Sequence, residues 1–197
     1  MSNDGRFLMS GWEDDLDDID SSRNPQDKNE NEILEAAEKG NLNKIKELLK
    51  IRMELVNIID RDKYTPLHRA CSTNQKEVAL LLIENGADVD AKTDMGWTPL
   101  HSCCHWNSLD CANILLQHGA DVNAQSEGGQ TPLHVAACHG ASYGIVEILL
   151  MHPYIKPNIK NKSDETAMDI AKRSSKFYNI FDMADTLLSN ENLELLK

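Results

Sequence analysis

Between His101 and Cys111 the chain reads HSCCHWNSLDC, two histidines and three cysteines in eleven residues. Imidazole and thiolate are the donors zinc prefers, and thiols also carry redox chemistry. A zinc- or redox-responsive centre built on His101, Cys103, Cys104 and His105 is therefore the first chemistry to weigh. On a helix, His101, Cys104 and His105 share a face by their i, i+3, i+4 spacing. Cys103 and Cys104, about 100° apart around the same helix, diverge. Elsewhere the chain has no G-x-x-x-x-G-K loop, no G-x-S-x-G elbow and no H-E-x-x-H pair, so neither catalysis nor a cofactor is expected.

The elements that carry these donors are set by a repeat. TPLH stands at 65–68, 98–101 and 131–134, and GADVDA at 86–91 returns as GADVNA at 119–124, each spaced by 33. A degenerate TAMDIA (166–171) follows, and AAEKGNLNKIKELL (36–49) precedes them in the same helical pattern. Thr is a good N-cap and Pro suits the first helical position, so each TP predicts a helix start. The small residues Ala70, Cys103 and Ala136 lie one turn beyond Leu67, Leu100 and Leu133, where they let helices approach closely. A second helix carries VALLLI, ANILLQ or IVEILL as its apolar stripe, and Gly86 and Gly119 end it with φ > 0. One such unit cannot bury its own stripe, whereas a stack of units can.

That stack weakens the metal reading. Cys71 and Cys104 hold the same position in successive repeats, on helices about 8–10 Å apart. Two sulfurs sharing a zinc sit within about 4 Å of each other, given Zn–S bonds of about 2.3 Å. Cys111 falls in an apolar stripe at the position of Val78, as a small buried residue does. The cysteines are expected to be packing residues and no metal is expected.

The TPLH, GADV and helix patterns together resemble the ankyrin repeat family. The resemblance implies an all-α solenoid of helix–turn–helix units with protruding β-turns, about five in number. The expected repeats are about 31–61, 62–94, 95–127, 128–161 and 162–188. They follow an acidic disordered leader (1–30) and precede a tail (189–197). The first and last repeats depart from TPLH, as capping units do. About two extra residues in the fourth are placed near GASYG (140–144). The resemblance also implies that His68, His101 and His134 tie neighbouring repeats together. It implies that partners meet the turn residues before TP and the positions after the small pair. Carried onto this sequence, these are Arg61, Asp62 and Tyr64 with Ser72 and Thr73; Asp94, Met95 and Trp97 with His105 and Trp106; and Glu127 and Gln130 with Cys138 and His139. Trp97 and Trp106 lead, since aromatics dominate interface hot spots. The implied function is a non-enzymatic, monomeric adaptor for a protein partner. Its finer form is a regulator linked to transcription, nuclear or cytoplasmic.

Composition agrees with recognition of protein. The formal net charge of −12 over 197 residues opposes binding to a phosphate backbone. Ten acidic residues against three basic ones lie in residues 1–32, a balance that does not favour a core. Within that leader, GWEDDLDDID (11–20) spaces Trp12, Leu16 and Ile19 among acids, as a solvated segment or a short acidic-hydrophobic motif does. The five cysteines are irregularly spaced, no apolar secretory segment opens the sequence, and VALLLI is too short to span a membrane. A reducing, nuclear or cytoplasmic setting is expected.

Overall fold

A computed structural model describes residues 28–138, 143–174 and 179–181. Four helix pairs follow one another: α1 (Lys28–Lys39) with α2 (Leu42–Ile51), α3 (Pro66–Ser72) with α4 (Lys76–Glu84), α5 (Pro99–Trp106) with α6 (Leu109–Gln117), and α7 (Pro132–Cys138) with α8 (Tyr143–Leu150). The first helix of a fifth unit, α9 (Ala167–Ser174), completes the series. Helix α1 takes in residues 28–30, within the span 1–30 expected as leader. The rest of that segment, with the Trp12 motif and the tail, lies outside the described residues.

First helices form one row, α1·α3·α5·α7·α9, and second helices another, α2·α4·α6·α8. Contacts are denser along the first row. Its facing positions hold Ala36 and Ala37, Ala70 and Cys71, Cys103 and Cys104, and Ala136 and Ala137, all buried. Small side chains draw these axes together while Leu49, Leu82, Leu115 and Leu149 separate the second row. The stack therefore curves with the first helices inside, and the concave face belongs to them.

Each TPLH builds one joint. In the second repeat, His68 Nδ1 accepts from the Thr65 amide (3.2 Å) and faces Thr65 Oγ1 (2.9 Å). Because an amide can only donate, the ring proton resides on Nε2, which donates to Trp97 O in the next repeat (3.1 Å). His101 repeats this to Gln130 O (2.9 Å) and His134 to Glu165 O (3.1 Å). In the last repeat Asp169 replaces the histidine and keeps the cap, accepting from Thr166 N (3.0 Å) and Thr166 Oγ1 (2.7 Å). It has no Nε2 with which to reach a following unit.

Between pairs, the chain forms projecting fingers. Lys63, Gly96, Gly129 and Asp164 occupy the same turn position with φ of 62°, 71°, 71° and 60°. Adjacent fingers join by one backbone bond each, Asp94 N to Asp62 O (3.0 Å), Glu127 N to Met95 O (2.9 Å) and Lys162 N to Gly128 O (3.0 Å). On the opposite side, Asn57 bridges Gly86 O and Asp88 N, and Asn123 bridges Tyr154 O and Lys156 N in the same way. Tyr154 thus stands where Gly86 stands. This relocates part of the fourth-repeat insertion. Ile145 follows its buried counterpart Cys111 by 34 residues, one beyond the period, and Tyr154 follows Gly119 by 35. One extra residue precedes Ile145 and the other lies after Leu150, rather than both near GASYG.

Candidate functional site

The TP cap aims each finger's last residue back over the first helix. In the third repeat that residue is Trp97, held by its own N–H to Thr93 Oγ1 (3.0 Å) and by its carbonyl to His68 Nε2. Its indole stacks on His101 (centroids 6.1 Å, planes 24° apart) and lies 5.3 Å from the ring of His105. His105 in turn meets Trp106 edge-on at 4.8 Å. Four rings therefore run from the finger base to the C-terminal end of α5. Trp106 is 59% exposed and Met95, at the finger tip, 68%. Trp97 is half-buried and packs against the core, so it is both a structural side chain and part of the surface.

The second repeat carries Tyr64 at the corresponding place, half-buried, with the Arg69 guanidinium above its ring. Arg61 and Asp62 are exposed on this finger, and Lys63 reaches across to Asp94 (2.6 Å). Ser72 and Thr73 spend their hydroxyls on the Arg69 carbonyl, and Thr73 also bonds Glu38 O (2.9 Å). In the fourth repeat Glu127 is exposed and Gln130 half-buried, its carbonyl taken by His101. Cys138 is exposed at the position of His105, and His139 lies outside the described residues. The structure thus groups Trp97, His105 and Trp106, adds Met95 and Glu127 through the finger joints, and gives Thr73 and the Gln130 backbone structural work.

The proposed ligands of a metal centre do not gather. Both ring nitrogens of His101 are engaged within the repeat joint. Among the described residues no three His, Cys, Asp or Glu side chains are placed to hold a metal ion. Cys71, Cys103, Cys104 and Cys111 are fully buried free thiols. Burial pushes Cys71, Cys103 and Cys104 above the ordinary thiol range, which disfavours the thiolate that nucleophilic attack requires. Comparing equivalent positions did miss one contact. The Cys71 thiol neighbours those of Cys103 and Cys111, while Cys111 points at Ala70 O (3.8 Å). The interaction with Cys71, together with burial, holds Cys111 high as well. Thiols meet because packed helices interlock off register, so a residue faces its counterpart's neighbour.

Burial likewise pushes His68 and His101 down to about 4 and lowers His134, leaving all three neutral near pH 7. Among the described residues no helix is long and apolar enough to cross a membrane.

Known proteins share this pattern. The family profile described as "Ankyrin repeats (3 copies)" matches residues 12–93, 33–126 and 91–161. Proteins named ankyrin repeat domain-containing protein 49 are similar over most of the chain. The Bos taurus protein is 58% identical over 153 residues, 78% of this chain. The Homo sapiens protein is 56% identical over the same span. The chain covers 64% of the length of each of these two. The Drosophila melanogaster protein is 47% identical over 180 residues, 91% of this chain and 84% of its own length.

Proposed function

Because the chain belongs to the ankyrin repeat family, we propose that it is a non-enzymatic adaptor that binds a partner protein across the concave face of repeats two to four. One observation carries this reading. The third repeat exposes Trp106 and Met95 beside a half-buried Trp97, along its first helix and the finger before it, where a partner can surround them. A soluble surface gains nothing from leaving such side chains in water, while an interface gains their whole area. The contact set is Arg61, Asp62, Tyr64, Asp94, Met95, Trp97, His105, Trp106, Glu127, Gln130 and His139, with Trp106 and Met95 at its centre. The protein acts as a monomer, without a cofactor.

The two tryptophans make the test unequal. Affinity capture from native cells with the Trp106→Ala chain should lose most of the partner, while the unfolding free energy from urea titration falls by less than about 1 kcal/mol, since the side chain is largely exposed. Trp97→Ala should cost about 2–3 kcal/mol of stability as well as binding, because it also packs against the core. Unchanged capture by Trp106→Ala would sink the reading. The finer reading, a regulator linked to transcription and resident in nucleus or cytoplasm, is carried by resemblance alone. Cell fractionation and a reporter assay on depleted cells test it.

A further inference from the structure

Repeat two contains a filled version of what repeat three presents. The Arg69 guanidinium carbon stands 5.6 Å from the Tyr64 ring centroid. The same guanidinium pairs with Asp60 (2.6 Å) and lies 3.7 Å from Glu38. Ring from the finger, cation from the helix and carboxylate nearby form one unit. Repeat three keeps the ring and enlarges it to Trp97, but Ser102 occupies the position of Arg69 and Thr93 that of Asp60. Ser102 is 1% exposed and its hydroxyl has no hydrogen-bond partner among the described residues. The repeat has lost its own cation while gaining the better cation-binding ring. A second such ring, Trp106, follows on the other side of His105 and is 59% exposed.

Charge around these rings favours a positive visitor. Of the nearby cations, Lys63 and Arg69 are committed to Asp94 and to Asp60, while Lys92, close enough to act on His101, is exposed. Glu127 is exposed on the next finger and makes no ion pair among the described residues; its backbone is bonded to Met95 of the tryptophan finger. Asp62, on the preceding finger, is likewise exposed beside Arg61, and Glu127 shares its surface with Lys162 and with Lys160, the latter paired to Asp164.

We propose that repeat three reads a positively charged side chain, an arginine or lysine of an extended partner segment. That side chain stacks on Trp97 and Trp106 with its charge turned toward Glu127. The proposal rests on the concave-face reading above and supplies the partner's chemistry. It is tested on the full ¹⁵N-labelled chain by following the indole N–H signals, assigned with Trp97→Phe and Trp106→Phe. The probes are the amides of N-acetyl-arginine, N-acetyl-lysine and N-acetyl-norleucine, the last matching lysine without its charge. The expected result is saturable shifts at both indoles with the two cationic amides and none with norleucine, with binding weakened about threefold by Glu127→Gln. No saturable shift with either cation, equal shifts with norleucine, or indifference to Glu127→Gln overturns the proposal. If capture of the native partner still depends on Trp106 in that case, the face binds by other chemistry and only the cation reading falls. If capture is indifferent to Trp106, the underlying reading falls with it.

Discussion

His68, His101 and His134 show how a single side chain can hold two repeats and set a pH limit. Each ring accepts at Nδ1 and donates at Nε2, so only the neutral imidazole fits its joint. The unfolded chain takes up protons near pH 6.5, whereas His68 and His101 in the folded protein resist them until about pH 4. The unfolded state therefore binds more protons between these values, and stability falls as the pH drops through the window. The unfolding free energy from urea titration should be flat from pH 8 to about 7 and then decline, losing on the order of a few kcal/mol by pH 4.5. A profile that stays level down to pH 5 would mean the joints tolerate imidazolium. These roles were implied by the family resemblance that the recurring TPLH carries. The contact of Cys71 with Cys103 and Cys111 was not, since it depends on how two helices interlock rather than on a position within either.

At the scale of the element, the fingers show how a turn serves its neighbour as well as itself. Gly96 and Gly119 both have positive φ, 71° and 85°, yet their surroundings differ. A methyl at Gly96 would lie 2.8 Å from the Glu127 amide nitrogen, the atom that joins the third finger to the fourth, whereas at Gly119 nothing lies within 4 Å. Gly119→Ala should cost about 1–2 kcal/mol from backbone strain alone. Gly96→Ala adds the clash and should cost about 3 kcal/mol or more, with amide shifts spreading through residues 125–130. Denaturation of the two variants side by side checks the contrast, and equal losses would show that the finger joint yields freely. Helix starts were readable from TP, and the second-helix stops from GADV. The split insertion of repeat four was hidden, because a one-residue excess on either side of α8 leaves no mark in its apolar pattern. Lys28–Glu30 were assigned to the leader on charge, but an acidic first turn is favourable at a helix N-terminus and does not mark disorder.

Across the whole molecule, stability is shared between neighbours and has no single centre. Every repeat buries its stripe against the units on either side, so damage in one should be felt in two others. Leu100 is fully buried in the third repeat. Leu100→Ala should lower stability by about 2–5 kcal/mol and reduce hydrogen-exchange protection in α3 and α7 together with α5. Loss confined to α5 would show that the repeats act independently. The 33-residue period was visible in the sequence from spacing, whereas the number of units and the partner-facing side came from the resemblance that the motifs carry. What spacing could not show was how a tryptophan divides between core and surface. Trp97 and Trp106 looked alike as letters, but one is pinned by a finger joint and the other stands in solvent. The joints also make the concave side a ruler. One backbone bond per finger, from each later turn to the one before, keeps successive fingertips at the helix spacing of about 10 Å. An extended strand advances about 3.3 Å per residue. A partner laid along the row would therefore be sampled at every third residue, and lengthening it by one between two anchors would throw the second anchor off its finger.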